Sequence, residues 1–373
     1  MTILFVTDSF AIWGGVERVL ANKMNFLADR YGYDVHFVTT SQGQHAMPYF
    51  LSPKISHKDL DARFHTQYLY SGLMRWFKIV QIHIKFIREF RHYIRQIQPD
   101  LIVSAKFELV GDIIKSKGHI PLIVEVHTIF KHSLYEKPSF LRNIYNQYNR
   151  RNVFHAERIV TLTNADAEDW RTKSRHVSVI PNLVSLNSTS QYCSYSSKSV
   201  IFVGRFETQK DIGSLFAIWQ IVHDKHPDWF LDLYGEGEQK NYYLVKAQSL
   251  QSNIRIHEPT SHIFDKYRES SILVLTSLYE PFGLVLPEAM SCGLPVVSFD
   301  CPYGPVDIIT DGVDGFIIKN RDIENFAEHI CMLMEDETLR RRMGQAAVKS
   351  SQRYSAEQIM PQWKELFEKV AGR

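Results

Sequence analysis

The chain carries the sequence EPFGLVLPEAMSCGLPVV at residues 280–297, and this stretch shows how the fold around it is built. An apolar run, Ile272–Leu275, precedes it, and another apolar run follows at residues 295–298. Gly283 stands where the chain must turn, and a helical segment then carries Glu288 toward the second run. The order strand, loop, helix, strand is typical of a parallel sheet covered by helices.

The loop at residues 280–284 offers two unlike kinds of ligand contact. Backbone N–H groups at the start of a helix suit an anion, whereas the carboxylates of Glu280 and Glu288 accept hydrogen bonds from sugar hydroxyls. A nucleotide-sugar needs both kinds of contact. Taken alone, the loop can equally be a capped turn whose glutamates are only solvated, so the rest of the sequence has to decide.

Length and composition restrict the class of protein. With 373 residues, 45% of them hydrophobic and 23% charged, the chain has material for two or three globular domains. A net charge of +2 gives no indication of nucleic-acid binding. The four cysteines lie far apart, which favours a reducing, cytoplasmic location over a zinc site or a disulfide framework. We expect residues 2–7 to be a buried strand rather than a signal peptide, and we expect no spanning helix.

The first half of the chain alternates short apolar runs with helical segments, which predicts a parallel sheet with helices on both faces. Gly14 and Gly15 follow the first strand, where backbone can approach a phosphate closely or simply turn into a helix. His127 follows the run PLIVEV at residues 121–126, which is apolar except for Glu125, and so stands at the carboxyl end of a strand, where open α/β sheets bind ligands. A structural role for this histidine is the alternative.

Residues 73–97 form a basic amphipathic pattern with a single acid, Glu89. Apolar residues such as Trp76, Ile79, Val80 and Phe86 fall on one helical face, and the basic residues fall on the other. One interpretation is a helix packed on the sheet with a solvated outer face; the other is a surface that rests on anionic lipid. The candidate membrane residues are Arg75, Lys78, Lys85, Arg88, Arg91 and Arg95.

Residues 184–199 include seven serines and are interpreted as a linker between a domain at 1–183 and a second α/β domain at 200–352. The second domain begins with a strand that ends at Gly204, followed by Arg205 and Lys210. Two cations at a strand tip make a plausible diphosphate clamp. The final segment, 353–373, is amphipathic and must dock on another element.

These motifs together resemble family 4 of the retaining glycosyltransferases. The resemblance rests on Glu280 and Glu288 with Phe-Gly-Leu between them, followed by CGLPVV at 292–297, GPVDII at 304–309 and DGVDG at 311–315. It implies the GT-B fold, which consists of two Rossmann-like parallel-sheet domains facing a cleft. It also implies that the second domain holds most of the donor and that the last helix crosses back to the first domain.

The resemblance also implies roles for individual residues. Glu288 would bind the ribose hydroxyls, Glu280 would sit at the donor sugar, and His127 would lie beside the anomeric centre. Fixed cations at the diphosphate would stabilise the charge that develops as it leaves, without a metal ion or other cofactor. The remaining donor-binding candidates are Gly15, Gly204, Arg205, Lys210, Phe282, Gly283 and Leu284. Asp307 replaces the glutamate of many members, so we assign it no role.

The leading hypothesis is a retaining transferase that moves a hexose or N-acetylhexosamine from a nucleotide diphosphate sugar, expected to be UDP-linked. The acceptor would be a glycan or lipid-linked glycan at the inner face of a membrane, in surface polysaccharide or glycoconjugate biosynthesis. The alternatives are a nucleotide-sugar epimerase, a glycogen-synthase-like enzyme, and a non-catalytic carbohydrate-binding or membrane scaffold. Residues 41–72 and 128–150, on the expected acceptor side, carry no recognisable motif.

Overall fold

The computed structural model of the protein describes residues 1–131, 149–189 and 191–372. The chain divides into two compact units, Met1–Leu183 with Ile359–Arg373, and Val184–Gln358. Each unit contains one parallel sheet of its own. The α/β class with two parallel sheets, predicted from the spacing of apolar runs, is confirmed.

The first unit is built on seven strands in the order β3-β2-β1-β4-β5-β6-β7, with every neighbouring pair parallel. The order of the strands reverses between β1 and β4, and open α/β sheets bind ligands at the carboxyl side of such a switch point. The strands are β1 Thr2–Thr7, β2 Asp34–Thr39, β3 Ser56–Asp59, β4 Leu101–Ser104, β5 Leu122–Glu125, β6 Arg158–Thr161 and β7 Val177–Val179.

Helices cover this first sheet because each helix has an apolar stripe, and packing on the sheet removes that stripe from water. Ile82, Phe86 and Phe90 of the long second helix join Leu4 and Ile102 of the sheet in one core. The helices are Gly15–Arg30, Gly72–Ile97, Val110–Ser116 and Asn164–Arg171, with 3-10 turns at Phe64–Leu69 and Phe107–Leu109.

The second unit contains six parallel strands in the order β10-β9-β8-β11-β12-β13. Its switch point lies between β8 and β11. The strands are β8 Ser199–Val203, β9 Phe230–Tyr234, β10 Ile254–His257, β11 Ile272–Leu275, β12 Val296–Phe299 and β13 Gly315–Ile318.

The helices of the second unit alternate with its strands. The aspartates Asp322 and Asp336 cap two of them by accepting hydrogen bonds from the N–H groups of Asn325 and Leu339. The helices are Ile212–Lys225, Lys240–Leu250, Ile263–Arg268, Val285–Ser291, Gly304–Ile308, Ile323–Glu335 and Glu337–Ser351, with 3-10 turns at Thr208–Lys210, Lys319–Arg321 and Gln352–Tyr354.

The sequence predicted that residues 184–199 form a linker between the domains. In the structure, this segment belongs to the second unit. Cys193 and Tyr195 are buried although serines surround them. The Cys193 N–H donates to the Cys292 carbonyl at 2.9 Å, and the Val184 N–H donates to the Tyr354 carbonyl at 2.9 Å. The serine-rich composition gave no sign that Cys193 and Tyr195 are buried. Their burial holds the segment on the second unit.

The last helix, Ala356–Val370, starts in the second unit and belongs to the first from Ile359 onward, as the resemblance implied. Its apolar residues recur at helical spacing, and Ile359, Trp363 and Phe367 are buried. The ring centroid of Trp363 lies 3.6 Å from Nζ of Lys23, on the helix Gly15–Arg30. This stripe therefore supplies part of the first unit's core.

Candidate active site

The switch point of the second sheet brings together the loops that follow β8 and β11. Lys210 lies on the loop after β8, and Glu280 lies on the loop after β11. Open α/β sheets bind ligands at this edge. Two of the residues predicted as catalytic therefore meet at the position where the topology favours a site.

Lys210 and Glu280 form an ion pair. The Lys210 ammonium donates a hydrogen bond to Oε1 of Glu280, and the Ser277 hydroxyl donates to the same oxygen at 2.7 Å. The Lys210 side chain is 14% exposed and that of Glu280 is 5% exposed. Since an ammonium has three donors, Lys210 can keep its contact with Glu280 and still bind an anionic ligand.

A second set of contacts fixes the backbone of Lys210. The Thr276 hydroxyl donates to the carbonyl oxygens of Lys210 at 3.0 Å and of Asp211 at 3.2 Å. The Arg321 guanidinium donates to the Asp211 carboxylate and to the carbonyls of Thr276 and Ser277. The loops after β8 and β11 are thus joined by the side chains of Thr276, Asp211 and Arg321.

Sequence reasoning missed Thr276, Ser277 and Arg321. The first two had a usable signal, since a polar pair directly follows the apolar strand β11 at its carboxyl end. Arg321 had none, because its contacts depend on the pairing of β12 with β13, which carries the turn Lys319–Arg321 to this edge.

Gly204 and Arg205 differ in how closely they associate with Lys210. A Cβ atom on Gly204 would lie 3.3 Å from Cε of Lys210 and 3.1 Å from the Phe202 ring, so glycine leaves room for the lysine stem. Arg205 is 70% exposed and pairs with Glu207 at 3.0 Å. The two cations of the predicted clamp are therefore held by different carboxylates, Lys210 by Glu280 and Arg205 by Glu207.

The segment 282–284 presents backbone donors. Gly283 has φ of +91°, a conformation that favours glycine, and the helix Val285–Ser291 begins two residues later. In the described part of the chain, the N–H groups of Phe282, Gly283 and Leu284 have no hydrogen-bond acceptor. They have the character expected of donors for an anionic ligand.

Glu288, predicted to bind the ribose, lies in the first turn of the helix Val285–Ser291 and is 2% exposed. The Tyr267 hydroxyl donates to its Oε2 at 3.3 Å. Tyr267 therefore shields part of this carboxylate, and the assigned role stays a prediction.

His127 belongs to the first unit and follows β5. Its side chain is 6% exposed, and Nε2 lies 3.4 Å from Oε1 of Glu125 without a hydrogen bond among the described residues. Burial, opposed only in part by the charge of Glu125, lowers the pKa of His127 to about 4. The imidazole is therefore neutral at neutral pH.

A buried ion pair supports the strand that precedes His127. The Lys23 ammonium donates to Oε1 of Glu125, and both side chains are 1% exposed. Burial works against a charge on Glu125, but the neighbouring Lys23 and His127 and the hydrogen bond from Lys23 hold the pKa of Glu125 below its ordinary value. The sequence signal was a lysine inside an apolar helical stripe, beside Leu20, Met24 and Leu27.

Gly15 is the first residue of the helix Gly15–Arg30 and is exposed, with Gly14 in an extended conformation before it. It lies beyond the carboxyl end of β1, at the switch point of the first sheet. Its predicted contact with the donor diphosphate stays a prediction.

The described residues, 1–131, 149–189 and 191–372, contain no candidate metal centre. No group of three or more His, Cys, Asp or Glu side chains among them could hold a metal ion. Asp59 and Asp61 form an Asp-x-Asp sequence, a pattern whose carboxylates can bind a metal ion, but both have partners in the protein. Asp59 accepts from the Gly43 N–H at 2.8 Å, and Asp61 pairs with Lys85 at 3.0 Å and with Arg63.

The basic helix Gly72–Ile97 divides into a packed half and an exposed half. Phe86 is buried, but Trp76, Ile79 and Val80, which the sequence places on the same helical face, are not buried with it. Trp76 is 64% exposed, Val80 is exposed and Ile79 is only half-buried. A 26-residue helix is about 39 Å long, whereas the four-residue strands β4 and β5 span about 13 Å, so the first turns extend past the sheet.

Several of the basic residues already have partners in the protein. Lys85 pairs with Asp61, Arg88 pairs with Glu89 at 2.9 Å, and Arg91 donates to the Lys115 carbonyl at 2.6 Å. Arg75 and Lys78 instead lie over the rings of Tyr68 and Tyr70, at 5.0 and 5.7 Å from their centroids, and Arg95 is exposed. Among the described helices, none combines the length and apolarity needed to cross a bilayer.

Comparison with known proteins agrees with this architecture. A model of glycosyl transferases group 1 matches residues 195–350, and a model of glycosyltransferase family 4 matches residues 13–188. The amylovoran biosynthesis glycosyltransferase AmsD of Erwinia amylovora is 28% identical over 98% of this chain and 99% of its own length.

Solved structures with low sequence identity share the fold. Sucrose-phosphate synthase from Thermosynechococcus elongatus has a TM-score of 0.81 at 19% identity and covers 100% of this chain and 99% of its own. HepE from Anabaena, solved in complex with UDP and glucose, has a TM-score of 0.74 at 18% identity and covers 98% of both chains. With both halves of the chain matched by glycosyltransferase models and the GT-B fold present, this chain belongs to the group 1, family 4 glycosyltransferases and is a transferase enzyme.

Proposed function

We propose that the protein is a retaining transferase that moves a hexose or N-acetylhexosamine from a UDP-sugar to a glycan or lipid-linked glycan. The pathway would build surface polysaccharide or another glycoconjugate. The observation that carries this proposal is the Lys210–Glu280–Ser277 constellation at the switch point of the second sheet. The name of the relative AmsD, which refers to a bacterial polysaccharide, and the UDP and glucose bound to HepE support the class of product and of donor.

The constellation can perform two parts of the reaction. The departing diphosphate gains negative charge in the transition state, and Lys210 with the N–H groups of Phe282, Gly283 and Leu284 would stabilise that charge. Arg205, which is exposed on the same loop as Lys210, would add a second cation. Glu280 is held next to Lys210, so it would accept hydrogen bonds from the donor sugar while the lysine binds the phosphate. These fixed cations take the place of a metal ion in the proposal.

A test of the proposal combines donor binding with product analysis. We expect UDP at about 100 times its Kd to raise the free energy of unfolding of the second unit by about 2.7 kcal/mol, measured as an increase in Tm. With UDP-glucose, UDP-galactose or UDP-N-acetylglucosamine and glycan acceptors, we expect a product whose anomeric configuration, read by NMR, matches the donor. EDTA should leave turnover unchanged.

Three outcomes would contradict this proposal. An inverted anomeric centre would exclude retention, and loss of turnover in EDTA would exclude metal independence. An epimerised UDP-sugar formed without an acceptor would identify the protein as an epimerase.

We also propose that the exposed part of the basic helix contacts an anionic membrane. The surface is formed by the aromatic and aliphatic side chains Tyr68, Leu69, Leu73, Met74, Trp76 and Phe77, with Arg75 and Lys78 between them. Soluble monomers rarely expose a large contiguous apolar patch. Aromatic rings with lysine and arginine beside them suit the interface of a bilayer with anionic headgroups.

We expect the protein to sediment with phosphatidylglycerol-containing vesicles and to be released in part by high salt, because part of the attraction is electrostatic. The double variant Trp76→Ser/Phe77→Ser should lose most of this binding. Tyr242→Ser, which changes an exposed aromatic residue of the second unit, is the matched control and should bind as the wild type does. Equal binding by all three proteins, or binding to purely zwitterionic vesicles, would contradict the proposal.

A further inference from the structure

The loop between β1 and the helix Gly15–Arg30 presents two large apolar side chains to solvent, Ile12 at 61% and Trp13 at 75% exposure. The same loop is otherwise firmly anchored. Phe10 is fully buried, its N–H donates to Oε1 of Gln42 at 2.7 Å, and the Gln42 amide donates back to the Phe10 carbonyl at 3.4 Å. Trp13 is therefore exposed three residues after a firmly anchored position of the loop.

A series of edge-to-face ring contacts connects the Trp13 indole to the first sheet. Its ring centroid lies 5.2 Å from that of Tyr49, Tyr49 lies 6.4 Å from Phe10, and Phe10 lies 5.1 Å from Phe37 on β2. All three pairs are steeply tilted, which is a favoured arrangement for aromatic rings. The indole is thus connected to the buried sheet while most of its surface remains in water.

Polar groups with sugar-binding character lie at the same edge of the sheet. Asp8 directly follows β1, and Lys106 comes two residues after β4, the strand across the switch point. Their side chains form an ion pair at 3.1 Å and are both partly exposed, Asp8 at 48% and Lys106 at 37%. A carboxylate accepts and an ammonium donates hydrogen bonds, so together they can bind neighbouring hydroxyls of one sugar ring.

An enzyme that transfers one sugar to another must hold two sugars. On the proposed function, the Lys210–Glu280 site of the second unit holds the donor, which leaves the switch point of the first sheet for the second ligand. A pyranose has an apolar C–H face and a polar rim, and it matches an exposed aromatic face and a charged pair that lie at the same edge of one sheet. We propose that Trp13, with Asp8 and Lys106, forms the subsite for the acceptor sugar, whose ring stacks on the indole.

The proposal can be tested by saturation-transfer NMR on the full chain. The probes are the methyl glycosides of glucose, galactose and N-acetylglucosamine, each in the presence of UDP. We expect saturation transfer to the ring C–H protons of at least one glycoside, and a weakening of its binding by about tenfold in Trp13→Ala. Trp13→Phe should retain part of the signal because an aromatic face remains.

Tyr242→Ala is the matched control, since it removes an exposed aromatic side chain of the second unit and should leave the signal unchanged. Trp13→Ala should also retain the increase in Tm caused by UDP. A wild-type protein without a signal from any glycoside, or a Trp13→Ala variant with a full signal, would overturn the proposal. Loss of the UDP effect in Trp13→Ala would overturn it too, because Trp13 would then serve the donor. Failure of the proposed function would give a different result, namely no increase in Tm on addition of UDP to the wild-type protein.

Discussion

Replacing Lys210 by methionine is expected to lower the turnover of glycosyl transfer by about 100-fold or more, the size of effect found when a charge-stabilising donor is removed from an active site. The methionine keeps an apolar stem beside Gly204 but has no ammonium for the leaving diphosphate. Glu280→Gln should reduce turnover on a similar scale, because the carboxylate both orients Lys210 and accepts from the donor sugar. Steady-state kinetics with saturating UDP-sugar would measure both effects.

Two further variants separate chemistry from folding. Lys198→Met removes a lysine that pairs with Asp228 at the amino end of β8, the opposite edge of the same sheet, and it should leave turnover unchanged. The double variant Lys210→Met/Glu280→Gln removes both charges of the pair together, so it should unfold like the wild type and yet remain inactive. Near-normal turnover in Lys210→Met or Glu280→Gln would show that the pair has no part in catalysis.

Lys23→Met is expected to destabilise the first unit by about 3–5 kcal/mol, because it leaves the buried Glu125 carboxylate without its counter-charge. The change also removes the ammonium from the face of Trp363. Since the chain has two units, a single unfolding transition is not a suitable measure. Hydrogen exchange of peptides from β5 and from the helix Ala356–Val370 would show the loss directly, as faster exchange in both segments.

The double variant Lys23→Met/Glu125→Gln removes both charges, so its two segments should exchange more slowly than those of Lys23→Met and closer to the wild-type rate. Lys54→Met provides the surface control, since Lys54 pairs with Asp29 at 3.2 Å and both side chains are well exposed. Exposed pairs contribute little to stability. Unchanged exchange in Lys23→Met, or a double variant as labile as the single one, would contradict the role assigned to the pair.

The sheets could be predicted from sequence because strands buried on both faces are nearly continuous apolar runs. Leu101–Ser104 and Ile272–Leu275 are examples, and both are fully buried. Lys210 and Glu280 could be chosen as candidates for a related reason. Each follows an apolar run, and the carboxyl ends of parallel strands meet at one edge of the sheet.

The partners of those residues could not be predicted, because they depend on which strands become neighbours. Spacing suggested that Arg205 and Lys210 share one ligand, but it gave no sign that Lys210 pairs with Glu280 and Arg205 with Glu207. The contact of Lys23 with Trp363 likewise joins the first helix to the last.

Periodicity also failed to show where burial stops along a helix. In Gly72–Ile97 the apolar pattern identifies a face, and only the size of the sheet determines that Phe86 is buried and Trp76 is exposed. The serine-rich segment at 184–199 shows the same limit of local information, because two buried residues, Cys193 and Tyr195, outweigh the composition of their neighbours.

The most direct measurement of the central claim, that the Lys210–Glu280 pair holds a nucleotide diphosphate, is the affinity of UDP determined by isothermal titration calorimetry. The wild-type protein and Lys198→Met should bind UDP with the same Kd, and Lys210→Met should bind about tenfold more weakly or worse, since a charge-assisted contact is lost. Equal affinities in all three proteins, or no binding of UDP to the wild type, would contradict the claim.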